Sequence, residues 1–137
     1  MSAEASVTSV VASPQLPKPF GVWSPAVVAE HTGRLLFISG LTSRDPDNNV
    51  VGEGNMEEQT RQICRNLKAL VEEAGGTLAD ITSVTVFTVD VTEFDAIHRA
   101  RKEFFPSDPP ASTMVEVSRL VEERCLIEIN AIAVLPA

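Results

Sequence analysis

ITSVTVFTVDVTEFDAIHRARKEFFP, residues 81–106, carries two periodicities in succession. From Ile81 to Val91 the residues are β-branched almost throughout, the composition of a pleated strand. Alternation puts Thr82, Val84, Val86 and Thr88 on one face and Thr85, Phe87, Val89 and Val91 on the other, so both faces need at least partial cover. Thr92, with Asp95 three residues on, fits the cap of a helix and its reciprocal partner. Phe94, Ile97, Phe104 and Phe105 then fall toward a core, and Pro106 with the following Asp-Pro-Pro ends the helix.

Upstream, Asn55 followed by Glu58 marks a second helix start. Ile63, Leu67, Leu70, Val71 and Ala74 repeat at helical spacing, and Gly75-Gly76 supplies a stop, which predicts a helix over 56–74. The segment SRDPDNNVVGEGN before it is dense in turn formers and predicts an exposed loop. Ala26–Glu30 and Arg34–Ser39 suggest two strands joined by a tight turn at His31-Thr32-Gly33, with Gly40 breaking the second. Downstream, Thr113–Leu120 and Cys125–Leu135 suggest the last two strands, with Val121–Arg124 as their turn. Residues 1–19, rich in Ser, Ala and Pro, predict a flexible arm ahead of a single domain over 20–137.

The order β-β-α-β-α-β-β has runs of strands rather than strict alternation, which predicts an α+β fold, a mixed sheet with two helices on one face. Ile81–Val91 and Cys125–Leu135 are apolar on both sides, more than two helices can cover. The second sheet face is therefore expected to pack against other subunits.

With 137 residues, 44% of them hydrophobic and 22% charged, the chain has room for one core and the composition of a soluble globular protein. A formal charge of −8 repels phosphate backbones, so no nucleic-acid partner is expected. No apolar run approaches the ~18 to 20 residues of a bilayer span, and an acid stands where a signal peptide has basic residues, so the expected compartment is cytoplasmic, without a membrane partner. Cys64 and Cys125 lack paired spacing and suit reduced core thiols, and with His31 and His98 they offer no metal-site pattern. No nucleophile elbow, phosphate loop or dinucleotide fingerprint is present, so any chemistry should need no cofactor.

Glu128, within LIEINAI, is the most suggestive titratable group. A carboxylate in so apolar a strand is costly unless solvated or hydrogen-bonded, although Glu128 and Asn130 equally fit a solvent-facing stripe. His98 falls one turn after Phe94, either as a site imidazole or as a boundary histidine. Ser112 and Thr113 follow Pro-Pro-Ala at a strand mouth, where hydroxyls and free N–H groups serve anions or merely begin the strand.

LLFISGLTS, ALVEEAGGTLADI, VTVFTVDVTEFDAIHRARKEFF, PPASTMVEVSRL and LIEINAIAV together resemble the reactive intermediate deaminase (Rid) family from about residue 20 onward. The resemblance implies a chorismate-mutase-like fold and a homotrimer with a central β-barrel, with small-molecule ligands held at three inter-subunit clefts. In active members an arginine binds the substrate carboxylate and a glutamate on the last strand orients the hydrolytic water. Here the glutamate position is Glu128, but the arginine position is Ser112. The other cleft positions carried over are Trp23, Ser39, Gly40, His98 and Met114, and Thr113 joins them as a substrate-binding candidate.

A serine hydroxyl does not reproduce a bidentate arginine clamp, so a 2-iminopropionate-type substrate should bind poorly. Two functions follow as expectations. One is a cofactor-free hydrolytic deaminase of a reactive imine or enamine, such as one of the larger aminomuconate type, with Glu128 and His98 as catalytic residues. The other is a non-catalytic metabolite binder or protein-interaction trimer.

Overall fold

The computed structural model describes residues 8–29 and 33–137. Its larger sheet has four strands in the order β3-β6-β4-β5: β3 (Arg34–Leu41), β6 (Ile127–Leu135), β4 (Ile81–Thr88) and β5 (Ala111–Glu116). β6 is antiparallel to both β3 and β4, whereas β5 runs parallel to β4. The sheet is mixed, and with α1 (Met56–Glu73) and α2 (Phe94–Phe104) it makes the expected α+β fold. Among the described residues no helix is long and apolar enough to cross a membrane.

Alternation explains the central place of β6. Ile127, Ile129, Ala131, Ala133 and Leu135 point to one side and are buried with Val84 and Val86 of β4 and Ile63, Leu67 and Val71 of α1. Each of the valine, leucine and isoleucine side chains contributes about 1.5 to 3 kcal/mol on leaving water. The opposite face carries Leu35, Phe37, Val115 and Ile132, all exposed in the single chain, with Phe37 69% accessible. The uncovered face inferred from the doubly apolar strands is thus present.

α1 starts on Asn55, whose side chain accepts the Glu58 N–H at 3.0 Å. The reciprocal half of the expected cap is absent: the Asn55 N–H donates to the Gly52 carbonyl, and Glu58 pairs instead with Arg61. At the other end the Gly75 and Gly76 N–H groups donate to the Glu72 and Val71 carbonyls at 3.0 and 2.8 Å, closing the helix as expected. α2 begins differently. Asp90 caps a 3-10 turn over Val91–Glu93, accepting from both the N–H and the hydroxyl of Thr92 at 2.9 and 2.5 Å, and α2 follows that turn with Glu93, not Thr92, at its N-cap position and without a side-chain cap bond. A carboxylate is the stronger acceptor, so it claims the free N–H and the threonine becomes a donor.

Several strand expectations change: β4 stops at Thr88 rather than Val91, and β3 runs on through Gly40 to Leu41. Thr8–Val11 forms β1, inside the stretch expected to lack regular structure, and pairs antiparallel with β2 (Ala26–Ala29). β2 and β3 are therefore in different sheets rather than one hairpin, and Glu30 of the expected strand and His31 and Thr32 of the expected turn lie outside the described residues. β5 ends at Glu116 and β6 begins at Ile127, and β4 and β6 are neighbours where β5 and β6 are not. Gln59 of α1 holds the end of the intervening segment, accepting the Leu126 N–H and donating to the Arg124 carbonyl, both at 2.8 Å. Those backbone groups are satisfied by a buried side chain and have none left for a ladder.

Candidate functional site

α2 presents Phe94, His98 and Arg101 along one face, toward the edge of the sheet formed by β5. Between them lies a cavity of about 390 Å³, lined also by Phe20, Trp23, Ser112 and Met114. Ser112 and Met114 pair with Val84 and Val86 of β4, on the helix-facing side of the sheet. The chain before β2 closes the rim. The Ser24 N–H donates to the Pro110 carbonyl at 3.0 Å and its hydroxyl to the Pro109 carbonyl, which clips the Trp23 segment to the start of β5. Phe20 packs edge-on against Trp23, with centroids 5.5 Å apart.

His98 is fixed from two sides. Its ring lies 3.9 Å from that of Phe94, and its Nδ1 accepts the Val22 N–H at 2.7 Å. Gly21 makes this passage possible, since a Cβ there would stand 2.7 Å from His98 Cε1 and 2.9 Å from Phe94 Cζ. Burial, reinforced by Arg101 and opposed by Asp95, pushes the imidazole down from 6.5 to about 4. At neutral pH it is uncharged. With Nδ1 accepting, the proton resides on Nε2, which is buried without a partner among the described residues.

Arg101 was not among the residues singled out from the sequence. It lines the same cavity, is 2% exposed, and both its terminal nitrogens are buried without a partner among the described residues. The available signal was helical register. Arg101 follows Ile97 by four residues and His98 by three, which puts a cation on the apolar side of α2.

Ser39, Gly40 and Glu128 form a second group. The register of β3 against β6 shifts between Ile38 and Leu41, so Ser39-Gly40 is a bulge. A Cβ on Gly40 would stand 2.2 Å from Glu128 Oε2, so the glutamate lies directly against the bulged backbone. Glu128 is half-buried, shares its face with Asn130 and Ile132, and points away from the helices. Thr113 is exposed on that same face, opposite Thr85. Of the candidate positions, Trp23, His98, Ser112 and Met114 meet in one cavity, while Ser39, Gly40, Thr113 and Glu128 do not join them within one chain.

Cys64 and Cys125 are buried free thiols, as expected, and burial pushes Cys64 up to about 12. A second cavity of about 500 Å³ lies between β1 and Phe104–Pro110, with Asp108 as the sole ionisable residue among its described lining residues. It offers no acid-base pair.

The family model described as Endoribonuclease L-PSP matches residues 13–135. A RutC family protein of Pyrococcus horikoshii is 40% identical over 124 residues, covering 90% of this chain and 95% of that protein. One from Pyrococcus abyssi is 37% identical over 124 residues, covering 90% and 94%. Among solved structures, a Yersinia pestis protein of unknown function from the conserved Rid protein family is similar with a TM-score of 0.86 at 30% identity, over 94% of this chain and 99% of that one.

Proposed function

Because this chain belongs to the Endoribonuclease L-PSP family, which its similarity to RutC and Rid family proteins also indicates, we propose that it is a cofactor-free hydrolytic deaminase of reactive imines or enamines. The observation that carries the proposal is the neutral His98 imidazole, its buried Nε2–H without a partner among the described residues, on the wall of a cavity lined also by Phe94, Trp23 and Met114. A donor held in so apolar a place favours a substrate heteroatom over water. Glu128 is the base. An enamine enters as its imine tautomer. Glu128 takes a proton from water as the oxygen adds to the C=N carbon and passes it to the nitrogen, giving the carbinolamine; it then takes the carbinolamine hydroxyl proton and delivers it to the nitrogen as the C–N bond breaks, releasing the carbonyl and ammonia, while His98 Nε2–H holds the substrate by a hydrogen bond.

The reaction needs both groups of residues, and these lie on opposite faces of one sheet. In the proposed homotrimer, sheets pack through the open face bearing Leu35, Phe37 and Ile132, and Glu128 of one subunit meets the His98 cavity of another at the subunit boundary. RNA cleavage, which the family description mentions, is disfavoured by the charge of −8.

The second reading, a non-catalytic binder, is favoured by Ser112 at the position where active relatives of the Rid type carry arginine. Ammonia release from freshly generated imines and enamines decides between them. Release by wild type and its loss in Glu128→Ala supports the deaminase, and equal background for both supports the binder.

A further inference from the structure

Residues 20–24 cross the mouth of the cavity as a strap, tied at both ends among the described residues. At one end Ser24 bonds to the Pro109 and Pro110 carbonyls ahead of β5. At the other the Val22 N–H donates to His98 Nδ1 at 2.7 Å, and Phe20 packs on Trp23 and Phe94 with ring centroids 5.5 and 6.1 Å away. The second tie is conditional. An imidazole that takes a second proton carries N–H at both nitrogens, so Nδ1 stops accepting and two donors face each other across that distance.

Arg101 stands three residues beyond His98 on α2, a spacing that sets Cβ atoms about 5 to 6 Å apart. It is 2% exposed, and its terminal nitrogens are sealed from water and meet no acceptor among the described residues. The acids of the adjoining helix surface are engaged elsewhere, Glu58 and Glu103 with Arg61, and Glu57 with Arg99. Burial pushes the Cys64 thiol up to about 12, so it stays neutral, and brings Arg101 down to about 10, which leaves it protonated at neutral pH. A charge that is neither paired nor solvated escapes the screening of a surface charge and acts strongly on a neighbour in the same dry interior.

The other charged groups around His98 are weaker. On α2, Asp95 opposes Arg101 from an exposed position, Lys102 is exposed, and Arg99 is held by Glu57 of α1. Residues 19–23 of the strap have no ionisable side chain, and neither have Ser112 and Met114 of β5.

We infer that Arg101 is a positioning residue that acts through His98: its buried charge keeps a second proton off the imidazole and so preserves the Nδ1 acceptor that holds the strap over the cavity. Burial of the ring works in the same direction and is the larger cause of its low value, with Arg101 next. His98 is thus a latch, closed while neutral and opened by acid. The deaminase reading needs the same neutral imidazole, and only that consequence rests on it.

The test titrates the full-length protein from about pH 8 down to about pH 4, a range that spans the ordinary and the lowered imidazole values. It follows the imidazole proton resonances of His98, assigned by their loss in His98→Gln, and the emission of Trp23, the single tryptophan. Arg101→Met should raise the His98 midpoint by about one pH unit, the effect of losing a nearby like charge. Trp23 emission should move to longer wavelength in step, with the far-UV circular dichroism unchanged. Arg101→Lys, which keeps the charge, should return both signals to wild type. A purely structural arginine predicts a lower melting temperature in both variants with the midpoint unmoved. An unmoved midpoint in Arg101→Met, a midpoint raised as far in Arg101→Lys, or Trp23 emission indifferent to the His98 titration overturns the inference. Should Arg101→Met not fold, Arg101→Gln is read in its place with the same outcomes. Neither signal requires turnover: a moved midpoint without ammonia release would sink the deaminase and leave the latch, and ammonia release with an unmoved midpoint would do the reverse.

Discussion

Gly40 and Glu128 are in direct contact: a methyl group at position 40 would come within 2.2 Å of the carboxylate oxygen Oε2. The bulge in β3 and the absence of a side chain at its second residue together seat the carboxylate against the backbone. The obstructing atoms are the far end of a flexible side chain, so a larger residue would turn the glutamate aside without disrupting the sheet.

Gly40→Ala should therefore change stability little, by less than about 1 kcal/mol, while lowering ammonia release by about tenfold or more through displacement of the base. Urea unfolding and turnover measured on one preparation check it. An unchanged rate would separate Glu128 from the chemistry.

Gly21→Ala should behave in the opposite way. Its Cβ would strike the packed rings of His98 and Phe94, at 2.7 and 2.9 Å, and stacked rings have little room to move. A loss of about 1 to 3 kcal/mol is expected, the usual range for overpacking. The Val22 N–H bond to His98 Nδ1 should be disturbed as well, visible as a rise of the imidazole pKa toward 6.5 in a proton NMR titration.

The pH dependence of stability has a definite sign. His98 titrates near 4 in the folded chain against an ordinary 6.5, with Arg101 and Asp95 as the charged groups acting on it. As pH falls, the unfolded chain takes up that proton first. The contribution of the neutral imidazole is complete above about pH 6.5 and is lost as pH drops toward 4, a change on the order of 3 kcal/mol. Urea unfolding across this window should show His98→Gln with a flatter profile than wild type. Parallel profiles would place the titration elsewhere.

The helices and β4 were legible in the sequence because their signals are local. Asn55, Gly75-Gly76 and the β-branched run from Ile81 each act within a few residues. Pairing was less legible. Nothing in Ala26–Ala29 specifies Thr8–Val11 as its partner, and alternation in Thr113–Glu116 and Ile127–Leu135 does not say that β6 takes the place beside β4 and β3. Of the site, Glu128 stood out as an acid among isoleucines. Arg101 did not, because its neighbours Arg99 and Lys102 make a basic run that resembles a solvated helix face, and only the register of α2 distinguishes it.

The open sheet face implies assembly. Wild type should sediment as a trimer, and Phe37→Asp, which places a charge on the most exposed residue of that face's apolar set, should yield smaller species. A wild-type monomer at micromolar concentration would remove the subunit boundary on which the combined site depends.

Glu128→Gln isolates the base from everything else the residue does. The amide keeps the size and planarity that fit against Gly40 but lacks the carboxylate's charge and its ability to take a proton from water. Its position on β6, half-buried on the open face, means that sedimentation and melting should remain close to wild type. Turnover should fall by about 10² to 10⁴-fold, the usual contribution of a general base. The combination of lost turnover with retained assembly assigns the proton transfer to Glu128, whereas equal rates for the two proteins would retire the glutamate as base and leave the non-catalytic binder ahead.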